Sequence, residues 1–157
     1  MANITRRTNR RLADHLRAGE SVQAALLCEA KGTYGPAAIA TAALPRFMTD
    51  KLENRATAAH AASGGIAAAF PGRSCVVAVT ELRVLVAPSN GLTFGAPVLE
   101  VGLGDIALDH VGGKGIGKSL RFVFRDGSAV TVDAQRAQPF DRVARLLDPA
   151  SPFAAGA

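Results

Sequence analysis

The stretch LRFVFRDGSAVTVDA, residues 120–134, constrains the fold more than any other part of the chain. Apolar and polar residues alternate on both sides of Asp126-Gly127. Alternation with a period of two is typical of a strand that is buried on one face. An Asp-Gly pair between two such segments predicts a β-hairpin, with strands Leu120–Arg125 and Ser128–Ala134 joined by a type I′ turn.

This hairpin decides how the motif just before it is interpreted. GGKGIGKS, Gly112–Ser119, fits the P-loop pattern, but a P-loop needs a helix that begins at its Lys-Ser and points its positive end at phosphate. We expect a strand there instead, and interpret the motif as a glycine-rich link between antiparallel strands. Its amides, with Lys114 and Lys118, are candidates for weak anion binding, and nucleotide binding is the least favoured alternative.

The composition favours one folded domain. The chain has 157 residues, of which 48% are hydrophobic, which is enough for a core of its own. Aromatic residues make up only 5% and tryptophan is absent, whereas proteins that stack many bases depend on aromatic side chains. Nucleic acid is therefore a disfavoured partner.

Positive charge is concentrated near the N-terminus of a chain whose formal charge is +5. Arg6, Arg7, Arg10 and Arg11 are candidate contacts for anionic lipid or another anion. A solvated helix face without a ligand is the alternative interpretation of these four residues.

The cysteines and histidines do not suggest catalysis. Cys28 and Cys75 belong to no CxxC or Cys/His cluster, so we expect free thiols in a reducing compartment and no zinc site. His15, His60 and His110 lie far apart and form no nucleophile–base pair. We expect no catalytic residue, metal or cofactor.

No secretory signal or long apolar run is found, so we expect a cytoplasmic protein, with or without peripheral membrane association.

Apolar periodicity predicts the remaining elements. Further strands are expected at 22–30, 74–80, 83–88, 97–103 and 106–111, and helices at 5–18 and 138–148. The expected organisation is a basic helix over 1–18, a domain over 19–148 and a flexible tail over 149–157.

The alanine-rich segment 31–73 interrupts the strands and is expected to hold one or two helices. Leu44, Phe47, Met48 and Leu52 recur at helical spacing with charged residues opposite them. Their apolar face could be buried in the fold, pair with a second copy or touch a membrane. We favour the first two because charged residues recur in every turn, and take these four residues as a candidate interface.

Several short motifs resemble those of pleckstrin-homology (PH) domains, and in detail the bacterial PH-like and GRAM-type domains. The motifs are Gly19-Glu20 before the first strand, VAVTELRVLV at 77–86, VGLGDIALDHV at 101–111, FRDGSAVTV at 124–132 and the helix at 138–148. The resemblance covers residues 19–148, apart from the insert at 31–73.

The resemblance implies an α+β, mainly β fold. Its expected form is a seven-stranded antiparallel barrel capped by a C-terminal helix, with a helical insert between strands 1 and 2 and an N-terminal helix. The expected barrel core is Phe122, Phe124, Val130, Val132, Val77, Val79, Val84 and Val86, closed by Phe140, Val143, Leu146 and Leu147.

The functional implication is a non-catalytic binding or scaffold domain. Such a domain would associate with a protein partner that the sequence does not identify, or with itself. Peripheral binding to anionic lipid through the N-terminal arginines and the apolar insert is the alternative.

Overall fold

The structure is a computed structural model that describes residues 3–31, 51, 54–55, 58–62, 64–113, 117–135 and 137–147. These residues form an α+β fold that is mainly β, as the sequence predicts. One antiparallel sheet is its central element, and a C-terminal helix packs on it.

The predicted strands are all present, with small changes at their ends. Strands β1 to β7 are Val22–Ala30, Cys75–Thr80, Arg83–Pro88, Leu99–Gly102, Ile106–Gly112, Gly117–Phe124 and Ala129–Gln135. They lie in the order β4-β3-β2-β1-β7-β6-β5, and neighbouring strands are antiparallel. Strand β1 therefore joins the two halves of the sheet, since it pairs with β2 on one side and β7 on the other.

The sheet is open, which corrects the expectation of a closed seven-stranded barrel. The edge strands β4 and β5 are consecutive in the chain, but within the described residues they do not pair; the 3-10 turn Leu103–Asp105 connects them. An isolated bridge between Ser89 and Phe94 adds pairing beyond the predicted strands. Helix α2, Phe140–Leu147, contacts β5 and this 3-10 turn. The helix, rather than a strand pair, therefore covers this side of the core.

The hairpin around Asp126-Gly127 is present, but its turn is not type I′. A type I′ turn needs positive φ at both central residues, whereas only Gly127 has one, at 84°. The amide of Phe124 donates to the carbonyl of Ser128 at 2.8 Å, which closes a three-residue loop. The Asp126 carboxylate accepts hydrogen bonds from the amide and hydroxyl of Ser128 at 2.9 and 2.6 Å, which explains its place in the turn.

The main core lies between the inner face of the sheet and α2. All eight predicted barrel-core residues are buried there, in one cluster with three of the four predicted helix residues. Leu146 is partly buried against the same cluster. The docked C-terminal helix is thus confirmed, and its buried residues Phe140, Val143 and Leu147 have the spacing of one helix face.

The outer face of β1–β3 is also covered. Leu12 is fully buried against Ala25, Val76 and Leu85 in a second apolar cluster, to which Ile4 contributes from the N-terminal helix. Both sides of β2 and β3 are therefore buried. Such strands need apolar residues at nearly every position, which explains the runs CVVAVT and RVLVAP.

The N-terminal helix is shorter than the one predicted over 5–18. Helix α1 spans Ile4–Arg11 and is capped by the side chain of Asn3. A 3-10 turn, Ala13–His15, follows it. The chain must reverse into β1 within a few residues, and Gly19 completes the reversal with a φ of 78°.

The end of the insert packs on the main core. Residues 58–62 are helical, and a 3-10 turn spans Ile66–Ala69. The buried ring of Phe70 stacks on Phe122, with centroids 6.2 Å apart. The amide of Ile66 donates to the Asp126 carboxylate at 2.7 Å. The described end of the insert is therefore part of the fold.

Candidate functional site

Three of the four candidate arginines form an exposed basic face. Arg6, Arg10 and Arg11 are exposed on α1, a helix that contains no acidic residue. We call these three residues the arginine face. Arg10 and Arg11 lie in the last helical turn, where positive charge interacts favourably with the helix dipole.

Arg7, the fourth candidate arginine, contacts the β3–β4 connection and is not part of the arginine face. Its guanidinium donates hydrogen bonds to the carbonyls of Gly91 and Leu92, the latter at 2.8 Å, and lies 5.4 Å from the centre of the Phe94 ring. These contacts hold the β3–β4 connection against α1. Arg7 therefore has a structural role that the sequence pattern did not reveal, because its partners lie more than 80 residues away.

The arginine face has a fixed position on the sheet. Thr8 and Leu12 are fully buried beneath α1. The side-chain oxygen of Asn9 accepts a hydrogen bond from the amide of Val22 at 2.8 Å, which links the helix to the first residue of β1. The three arginines are thus presented by a helix that is anchored along its opposite side.

The two ends of the glycine-rich motif lie in paired antiparallel strands. Gly112 ends β5 opposite Ser119 in β6, and a strand occupies the place where a P-loop needs a helix. The ammonium of Lys118 lies 5.7 Å from the centre of the Phe140 ring, so it contacts α2. Lys114 lies outside the described residues.

A buried ion pair connects two of the short motifs noted in the sequence, Gly19-Glu20 and residues 77–86. Arg83 donates to the Glu20 carboxylate through Nε at 2.9 Å and Nη2 at 2.8 Å. The same carboxylate accepts hydrogen bonds from the Thr80 hydroxyl and the Arg17 amide, both at 2.7 Å. Its side chain is fully buried. Glu20, Thr80 and Arg83 therefore join the start of β1 to the β2–β3 hairpin.

Electrostatics keeps this pair ionised. The hydrogen bonds from Arg83, with smaller effects of Arg17 and Thr80, lower the pKa of Glu20 from 4.5 to about 2, although burial acts in the opposite direction. Arg83 also contacts the half-exposed Glu100 at 2.6 Å. Because every oxygen of Glu20 is engaged within the protein, we assign this network to stability rather than to ligand binding.

His60 is buried and packs against Phe70. Its Nδ1 lies 3.2 Å from the carbonyl of Phe70, and the two rings meet edge to face at 5.8 Å. Burial lowers the pKa of His60, so the neutral form is favoured at pH 7. This environment is that of a core residue. By contrast, His15 is exposed.

The candidate interface in the insert cannot be placed on this surface. Leu44, Phe47, Met48 and Leu52 lie outside the described residues. Their role as a self-interface stays a prediction.

A cavity of about 480 Å³ lies where the N-terminal ends of α1 and α2 approach β1. Its lining includes Asn3, Thr5, Leu27, Gln138 and Arg142. The side-chain amide of Gln138 is engaged with the backbone of Leu27, accepting from its amide at 2.6 Å and donating to its carbonyl at 2.8 Å. No pattern in the sequence indicates this cavity, because separate segments of the chain contribute its walls.

The described part of the chain lacks two kinds of feature. No group of three or more His, Cys, Asp or Glu side chains there could hold a metal ion. No helix among those residues is long and apolar enough to cross a membrane.

Comparison of the chain with protein-family models, curated proteins and solved structures finds no match.

Proposed function

We propose that the protein is a non-catalytic PH-like binding module that associates with an acidic protein surface through Arg6, Arg10 and Arg11. The observation that carries the proposal is the arginine face itself: three exposed guanidinium groups on one anchored helix without a carboxylate. Like charges this close together repel each other, and an acidic partner would relieve this repulsion. The strand order and the docking of α2 on the core support the PH-like part of the proposal.

The chemistry of α1 favours a protein partner over a membrane. A helix that lies in a membrane interface needs an exposed apolar side. In α1, Ile4 packs into the outer apolar cluster, together with Leu12, which follows the helix. Self-association through the arginine face is disfavoured as well, because two copies would bring like charges together. Peripheral binding to anionic lipid is the second candidate, since lipid headgroups carry the charge that these arginines require.

Binding to an acidic probe tests this function. Labelled polyglutamate should bind the full chain, as measured by fluorescence anisotropy, and less tightly at 200 than at 50 mM salt because screening weakens charge attraction. The triple variant Arg6→Gln/Arg10→Gln/Arg11→Gln should bind about tenfold or more weakly at the lower salt concentration.

A matched control removes three charges elsewhere. Arg125, Arg142 and Arg145 are also exposed, so their triple replacement by Gln changes the net charge equally. We expect this control to keep its affinity within about threefold. Equal losses in the two triple variants would overturn the assignment to the arginine face.

A parallel measurement separates the two kinds of partner. Vesicles of phosphatidylcholine with phosphatidylserine are sedimented with each protein. Binding to the vesicles that depends on the arginine face, without binding to polyglutamate, would reject the protein-partner proposal in favour of the membrane.

A further inference from the structure

The two cysteines face each other across neighbouring strands. Cys28 in β1 is directly opposite Cys75 in β2, and both thiols are free. Their exposed fractions are 0% and 1%, and both side chains belong to the main core cluster. They therefore lie on the same face of the sheet, although 46 residues lie between them in the chain.

This register brings the two Cα atoms within the range that a disulfide bond spans. Directly opposite residues of antiparallel strands have Cα atoms about 4.5 or 5.5 Å apart. Disulfides span Cα separations of about 4.4 to 6.8 Å, a range that includes both values. The Cβ atoms of such a pair lie about 4.5–5.5 Å apart and would move closer, to about 3.5–4.5 Å, when the bond forms. The neighbouring Cys75 thiol and burial both raise the pKa of the Cys28 thiol.

We propose that Cys28 and Cys75 form an oxidation site at which hydrogen peroxide converts two thiols into a cross-strand disulfide. One thiol loses its proton and the thiolate attacks a peroxide oxygen. The O–O bond breaks, the leaving hydroxide takes up that proton as water, and a sulfenic acid stays on the protein. The second thiol sulfur attacks the sulfenic sulfur, the S–O bond breaks, and a second water leaves. The two sulfur atoms together lose two electrons, which reduce the peroxide.

Access to peroxide depends on the end of β2. Cys75 is the first residue of this strand, and Arg73 just before it is exposed. Opening of this strand end, where Cys75 pairs with Cys28 of β1 and Pro88 of β3, would expose Cys75 to peroxide. Because the thiols are buried and the pKa of Cys28 is raised, oxidation should be slow compared with that of an exposed thiolate.

The disulfide would tie together the two ends of the insert. It would close the loop 29–74, which reduces the conformational freedom of the unfolded chain. For a loop of this length, the expected effect is a rise in Tm of about 10 °C. Oxidation of the two thiols at the ends of the insert would thus raise the stability of the whole domain.

The test uses the full native chain treated with hydrogen peroxide. Peptide mapping without reductant should show residues 28 and 75 cross-linked within one chain. The melting temperature should rise and should return to its starting value after dithiothreitol. Methionine oxidation does not interfere with this readout, because dithiothreitol does not reverse a sulfoxide under these conditions.

Cys28→Ser is the matched control, since it keeps one thiol and nearly the same volume. Peroxide should not raise its melting temperature. If this variant fails to fold, the peptide map of the peroxide-treated native chain is the deciding measurement. Free thiols in the treated chain after unfolding, sulfinic acid in place of the cross-link, or disulfides between chains would each overturn the proposal.

Discussion

Replacement of Glu20 by Gln should destabilise the protein in a strongly pH-dependent way. The change keeps the shape of the side chain but removes the charge that pairs with Arg83. Hydrogen bonds from Arg83 are the largest cause of the low pKa of Glu20, about 2 compared with the usual 4.5. A difference of this size between the folded and unfolded states corresponds to about 3 kcal/mol of stability at pH 7.

The sign of the pH dependence follows from the direction of the shift. Because the folded chain holds the proton less tightly than the unfolded chain, the contribution is complete above pH 4.5. It is lost as the pH falls towards 2, and about 1 kcal/mol remains at pH 3. Glu100 stays in contact with Arg83 in the variant, so the loss should not reach the upper end of the range for broken buried pairs, about 5 kcal/mol.

Urea unfolding at pH 7 and pH 3 measures this effect. Asp109→Asn is the control, because it makes the same kind of change in an exposed pair with Arg121, which is 2.5 Å away. Exposed pairs contribute about 0.2–1 kcal/mol. A Glu20→Gln variant that loses equal stability at both pH values, or no more than the control, would refute the reasoning.

Two further substitutions test the packing of the fold. Leu147→Asp should lower the free energy of unfolding by about 3 kcal/mol or more, because it buries an unpaired charge in the core. Arg145→Asp lies on the exposed side of the same helix and should change the free energy of unfolding little. Thermal unfolding of the two variants compares these effects. Gly65→Ala should cost about 1–3 kcal/mol in urea unfolding, since Gly65 has a φ of 58° and a Cβ there would overlap the Asp126 carboxylate. Gly104→Ala is its control, because a Cβ at Gly104 meets no atom within 4 Å, and an equal cost in the two variants would contradict the steric explanation.

The elements that depend on local pattern were predicted well. Alternation alone located the strands on both sides of Asp126-Gly127, because a half-buried strand imposes a period of two on its own residues. The turn type was wrong because Asp126 is held partly by the amide of Ile66, which lies 60 residues away. Local sequence contains no information about that contact.

The candidate site was predicted only in part for the same reason. The sequence identified a basic N-terminal helix but did not distinguish Arg7 from its neighbours, since only the docked helix brings Arg7 to the carbonyl of Leu92. The motifs around Thr80 and Arg83 were noticed as a resemblance. Their chemistry, a buried pair with Glu20, depends on strand pairing that composition and spacing do not specify.

The covering of the sheet's outer face by Leu12 has a consequence for where the domain can be cut. A boundary at Gly19, where the PH-like resemblance begins, would strip the apolar outer surface of β1, β2 and β3 of its cover. Exposed apolar patches of this kind promote aggregation. The N-terminal helix and the turn after it are therefore a layer of the domain. A truncated protein should begin no later than residue 3.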